Sequence, residues 1–185
     1  MARQPAESVS SALEVHGKQD SFRTALAREV TEIYQATATS LLRYALLLAR
    51  SESLAQEAVQ ETFLKYYHCR IGGELGSATR GWFFRVVRNY IFDQLKSHSV
   101  KNCVSLDHAV TKFDERYSPE KLYEQSQTVQ KAYGLLAPRE LECLRLKVEG
   151  FSYQEIAEIL DIKSGTVGAL LARGATKIQK GFAQD

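Results

Sequence analysis

The sequence predicts an all-α chain: two small helical domains joined by a flexible linker, the C-terminal one containing a helix-turn-helix. Three observations carry this. Apolar residues recur at three- and four-residue spacings through most of the 185 residues, and no stretch reads convincingly as a strand. Only 3 prolines interrupt the chain, which leaves room for long helices. A polar, aliphatic-poor segment containing Ser118-Pro119 separates two such helical regions. The boundaries that follow are a mobile tail over 1–21, a helical domain over 22–97, a linker over 98–127 and the helix-turn-helix domain over 128–185.

Residues Met1 to about Asp20 are rich in Ser, Ala and Gln with little periodicity, hence the expectation of a tail. From about Phe22 to Arg50, Val30, Ile33, Tyr34, Leu41, Leu42, Ala45 and Leu48 mark a helix, which Thr37–Ser40 is expected to bend or weaken. A second helix starts near Ser53. Its spacing turns Leu54, Ala58, Phe63 and Tyr66/Tyr67 toward a core and Gln56, Glu57, Gln60 and Glu61 away from it. Gly72, Gly73 and Gly76 then make a flexible loop. No strand precedes these glycines, so they form no dinucleotide or phosphate cradle.

The third helix, Thr79–Lys96, puts Phe84, Val87, Ile91 and Leu95 on one face. Arg85, Asn89, Asp93 and Lys96 fall on the opposite face with Trp82 beside them, and Arg80, Arg88 and Lys101 add positive charge nearby. Basic side chains follow a phosphate backbone, Asn hydrogen-bonds base edges, and an aromatic stacks on an unpaired base. A solvated helix face with Trp82 as partial core explains the same pattern, and this helix alone does not separate the two readings.

In the C-terminal region, Val129, Ala132, Tyr133 and Leu136 make a short amphipathic helix. Pro138, in the first turn of the next, starts a helix that Gly150 ends. Ser152 and Glu155 form a capping box that starts a helix at Tyr153, with Ile156, Ile159 and Leu160 on its apolar face and small Ala157 at the crossing. After the turn Asp161–Lys163, Ser164 is expected to cap a last helix along which Val167, Leu171, Gly174 and Ile178 repeat. Two helices, a tight turn and a small residue at the crossing make a helix-turn-helix, whose second helix enters the major groove. From Ile162 to Gln184 the chain carries Lys163, Arg173, Lys177 and Lys180 and no acid. Cations also suit a helix C-terminus, so a two-helix piece of core with a basic end is the plainer alternative.

Composition narrows the function classes. Hydrophobic residues are 44% and charged residues 25%, an ordinary soluble mix. No apolar run approaches the roughly 20 residues that span a bilayer, and the first residues lack an apolar signal core; a cytoplasmic location without membrane insertion is expected. A formal net charge of +2 means that any nucleic-acid surface is local. The 3 cysteines, Cys69, Cys103 and Cys143, form no CxxC and fit a reducing compartment. His98, Cys103 and His108 match no usual zinc spacing. With no Ser–His–Asp set or phosphate loop either, neither cofactor, metal nor catalytic residue is expected.

In their order these pieces resemble the extracytoplasmic-function (ECF) group of bacterial sigma-70 family RNA polymerase sigma factors, over roughly Glu29 to Gly181. Ala58-Val-Gln-Glu-Thr-Phe63 is similar to the family's core-polymerase-binding helix. Trp82-Phe-Phe-Arg-Val-Val-Arg-Asn-Tyr-Ile-Phe-Asp93 is similar to its promoter-melting and −10 helix. Leu136-Ala-Pro-Arg-Glu-Leu-Glu-Cys-Leu144 with Tyr153–Val167 is similar to its −35 domain. The resemblance implies an initiation factor with three working surfaces. Gln56, Glu57, Gln60, Glu61 and Phe63 would meet core RNA polymerase. Arg80, Trp82, Arg85, Arg88, Asn89, Asp93 and Lys96 would engage the single-stranded −10 non-template strand. Ser164, Thr166, Gly168, Ala169, Arg173 and Lys177 would meet the −35 duplex. An anti-sigma factor is a further partner that the family implies. Where many relatives carry Lys-Ser-Arg after Thr-Val, this chain has Gly168-Ala169-Leu170, which removes side chains that read bases directly. A LuxR-like regulator shares the C-terminal motif but would need a receiver or ligand domain in the N-terminal half, where no strands are found.

Overall fold

The computed structural model describes residues 6–102 and 127–183, with side chains over 21–97 and 131–183. These residues form α1 (Ala6–Ala49), α2 (Glu52–Ile71), α3 (Arg80–Asn102), α4 (Gln127–Gly134), α5 (Pro138–Val148), α6 (Tyr153–Leu160) and α7 (Ser164–Phe182), with no strand among them. No helix of the described residues is long and apolar enough to cross a membrane.

The longest helix, α1, begins at Ala6, earlier than the start near Phe22 expected from the apolar spacing. Residues 6–21 contain no proline and one glycine, and their Ala, Leu, Glu, Gln and Lys are good helix formers. Extending an existing helix needs no new nucleus, so a weakly periodic segment joins it. Nor does Thr37–Ser40 interrupt α1. The Thr37 hydroxyl donates to the Ile33 carbonyl at 2.6 Å and Ser40 to Thr37 at 3.0 Å, so both are satisfied inside the helix. A tight turn through Arg50 at φ 51° leads to Ser51, whose side chain accepts from the Leu54 amide and caps α2. Gly72 caps its C-terminus, and Gly73 at φ 72° reverses the chain.

The helices α1, α2 and α3 pack as a bundle around Leu41, Tyr44, Val59, Phe63, Tyr66, Phe83, Phe84, Val87 and Ile91. Phe83, outside the apolar stripe expected for α3, is 1% exposed. Consecutive residues point about 100° apart on a helix, and α3 is covered on two flanks. Phe83 meets Phe63 and Tyr66 at ring separations of 5.3 and 5.1 Å. Phe84 points to the other side, to Tyr44 at 5.3 Å and Phe151 at 4.9 Å.

In the C-terminal half, the Glu140 carboxylate accepts from the Ala137 amide and holds the start of α5 behind Pro138. Gly150, at φ 90°, turns the chain into the Ser152–Glu155 capping box of α6. Asp161 closes α6 in the left-handed region at φ 54°. The cap of α7 falls on Lys163 rather than Ser164, which is already the first helical residue, and no side chain caps that end. Gly174 lies where α7 crosses α5: a Cβ there would lie 3.7 Å from Glu140 of α5 and 3.3 Å from Leu136 just before it. The two helical domains also touch each other. Helix α3 packs on α6, and Phe84, Cys143, Phe151 and Ile159 share one core.

Candidate nucleic-acid interface

The outer face of α3 carries Arg85, Asn89, Asp93 and Lys96, all exposed and spaced to lie along one side of the helix. Trp82 is half-buried at the end of that face, its ring 5.8 Å from Tyr66 and edge-on to Phe83 at 5.2 Å. A fixed aromatic beside exposed amide, carboxylate and basic groups suits an unstacked base next to a phosphate chain.

The two remaining arginines of this set are engaged elsewhere. Arg80 Nη1 donates to the Glu149 carbonyl at 2.5 Å and Nη2 to its carboxylate at 2.8 Å. Arg88 Nε donates to Glu142 Oε1 at 2.9 Å, and the guanidinium lies 4.7 Å from the Phe92 ring centroid. The same Glu142 oxygen accepts from the buried Tyr44 hydroxyl at 2.9 Å. Burial foremost, and then Glu142, push the Tyr44 phenol well above its ordinary range. Tyr44, Glu142, Glu149 and Phe151 were not singled out by the sequence. Phe151 had one local signal: it directly precedes the Ser152 cap, where an apolar residue packs back on its helix.

On α2, Gln56, Glu57, Gln60 and Glu61 are exposed on one side. Glu57 accepts from the Tyr90 hydroxyl of α3 at 2.7 Å, a hydrogen bond that pushes Tyr90 up to about 12. Phe63 departs from its assignment to this face. It is buried against Tyr34 and Phe83, as its helical spacing required. The apolar group beside Gln60 and Glu61 is Leu64, 50% exposed.

On α7, Ser164, Thr166, Ala169 and Arg173 are exposed, whereas Gly168 is half-buried with the Tyr153 ring 3.7 Å from where its Cβ would be. Lys177 is tied to Glu140 at 2.7 Å, so it braces α7 on α5. That hydrogen bond, opposed by burial, holds the Glu140 carboxyl below its usual range. Cys69 and Cys143 are unpaired thiols, the latter pushed up to about 11 by burial. Cys103 and His108 lie outside the described residues.

Comparison with known proteins places the chain in a family. Sigma-70 region 2 matches residues 33–100, and Sigma-70, region 4 matches residues 126–178. The chain is similar to the ECF RNA polymerase sigma factor SigL of Mycobacterium tuberculosis, 32% identical over 144 residues, covering 75% of this chain and 80% of SigL. It is 25% identical over 152 residues to the ECF RNA polymerase sigma factor SigM of Bacillus subtilis, covering 81% and 93%. Its fold is shared with the sigma factor RpoE of Bartonella quintana in complex with the anti-sigma factor NepR. That likeness has a TM-score of 0.63 and 22% identity, and covers 85% of this chain and 99% of RpoE.

Proposed function

The chain belongs to the ECF group of sigma-70 family RNA polymerase sigma factors, and from that premise we propose how its surfaces divide the work. A sigma factor binds core RNA polymerase and directs it to initiate at a promoter; it is an initiation factor, and we assign no chemical step to any residue of this chain. The LuxR-like alternative is not favoured, because the N-terminal half matches Sigma-70 region 2.

The carrying observation is the outer face of α3. Asn89 and Asp93, exposed one turn apart, read bases of the −10 non-template strand. Trp82 supports a base turned out of the stack, and Arg85 and Lys96 follow the phosphates. Unstacking a base costs a few kcal/mol, which this prearranged face offsets. Polymerase docks on the exposed Gln56, Glu57, Gln60 and Glu61 of α2, with Leu64 rather than Phe63 as the apolar anchor. The start of α7 enters the −35 major groove. With Gly168-Ala169-Leu170 in place of longer polar side chains, Ser164, Thr166, Arg173 and DNA shape carry that recognition. An anti-sigma factor is a further expected partner, since the RpoE fold was solved with one.

The test is binding of purified core polymerase to the wild-type chain and to Gln60→Ala, Glu61→Ala and Leu64→Ala variants. Each variant is expected to bind several-fold more weakly with an unchanged melting temperature. Wild-type binding by all three would remove α2 as the docking face.

A further inference from the structure

We infer that Glu29 and Tyr66 are positioning residues for the −10 surface. Together they clamp both ends of the glycine-rich loop between α2 and α3, and so fix Trp82, the ring proposed to support an unstacked base. The inference rests on the reading of α3 as the −10 surface.

The clamp is built around one carboxylate. Glu29 reaches from α1 to two residues of α2 that lie one turn apart. Its Oε1 accepts from the Tyr66 hydroxyl, and its Oε2 accepts from Arg70 Nη2 at 2.7 Å. The Arg70 hydrogen bond foremost, and then that of Tyr66, hold the Glu29 carboxyl below its usual range. It is therefore charged at neutral pH and accepts from both donors. A carboxylate with a donor on each oxygen has its orientation set. The Tyr66 hydroxyl in turn takes a backbone hydrogen bond from Ala78.

Arg70 stands in the last turn of α2, and Ala78 lies just before α3 begins at Arg80. Both ends of the loop are thus tied to the same acid. The middle of the loop is open, since a Cβ at Gly76 would meet nothing within 4 Å. Its shape is set from the ends. Trp82 follows in the first turn of α3, and its ring lies 5.8 Å from that of Tyr66, which is 0% exposed. Anchored through its hydroxyl, the Tyr66 ring gives Trp82 a fixed wall. A stacking platform aids capture of a base when it is already in place as the base unstacks. Glu29 precedes the segment that matches Sigma-70 region 2, residues 33–100, so the clamp draws on a part of α1 outside the matched segment.

The test uses the full chain as wild type, Tyr66→Phe and Glu29→Gln, with Asn89→Ala as reference. Tyr66→Phe keeps the ring and removes the anchor. Glu29→Gln keeps an acceptor for Tyr66 and removes the charge facing Arg70. Trp82 is the chain's single tryptophan, so its fluorescence in the free protein reports the clamp directly. Acrylamide quenching is expected to rise in Tyr66→Phe and to rise less in Glu29→Gln. Each form is then assembled with core polymerase, and opening of a start-site-mapped genomic promoter fragment is read by permanganate reactivity of its −10 thymines. Tyr66→Phe is expected to lower opening at least about fivefold, with polymerase affinity unchanged, and Glu29→Gln to fall between it and wild type. Unchanged opening in Tyr66→Phe, with opening lost in Asn89→Ala, overturns the clamp alone. Loss of polymerase affinity in step with opening in both clamp variants marks a merely structural role and also overturns it. Unchanged opening in Asn89→Ala overturns the −10 reading of α3, and the clamp with it.

Discussion

Lys177 Nζ lies 2.7 Å from Glu140 Oε2, so a basic residue of α7 is anchored to a carboxylate of α5 that is itself 5% exposed. Replacing Lys177 by Met leaves Glu140 with the Ala137 amide alone. Because the lysine is half-exposed, the expected loss is modest, about 1–2 kcal/mol, read as a lower midpoint in urea. The pH dependence has a definite sign. A carboxyl held below its usual range stabilises the fold fully above the unfolded pKa, about 4.3, and the stabilisation fades as pH falls through the lower folded value. The variant's stability is therefore expected to approach that of wild type in acid and to differ most near neutrality.

Phe63 separates stability from polymerase binding. It is 7% exposed, against Tyr34 and Phe83, so Phe63→Ala is expected to cost about 3–5 kcal/mol. Thermal and urea unfolding should show that loss whether or not polymerase is present. Gln60→Ala, by contrast, should stay within about 0.5 kcal/mol of wild type, as an exposed substitution does.

Gly168→Ala isolates a second trade. The added methyl would meet the Tyr153 ring at 3.7 Å, an ordinary contact, and alanine is favoured over glycine in a helix by about 1 kcal/mol. The melting temperature is expected to rise. If glycine is there for close approach to DNA, affinity for a −35 duplex should fall in the same protein, measured by fluorescence anisotropy.

Tyr90 and Glu57 link α3 to α2. The hydrogen bond to Glu57, with burial next, pushes the Tyr90 phenol up to about 12. A raised folded pKa means that the bond's stabilisation is complete below the unfolded value, about 10, and is lost as pH rises toward 12. Absorbance titration should show one fewer late-ionising tyrosine in Glu57→Gln than in wild type, where Tyr44 also ionises late.

How much of this was legible depended on sequence distance. Helix α6 and the start of α5 rest on signals within a few residues, Ser152 with Glu155 and Pro138 at the first position, and these could be read directly. Phe63 could be placed by its own spacing; only its assignment to the polymerase face moved it outward. Phe83 could not, because its burial depends on α3 being covered on two flanks. The start of α1 was hidden for another reason: residues 6–21 have helix propensity but no strong apolar stripe. The Arg80–Glu149 and Arg88–Glu142 pairs join residues 69 and 54 positions apart, and no local pattern announces them.

The most direct measurement of the central claim is abortive transcription by purified core polymerase on genomic promoter fragments, with wild type, Asn89→Ala and Asp93→Ala. The account predicts start-site-specific product that depends on the chain and drops at least about tenfold in each variant, while the variants still bind core polymerase. No product and no polymerase binding by wild type, together with sequence-specific binding of duplex DNA by the chain alone, would contradict it.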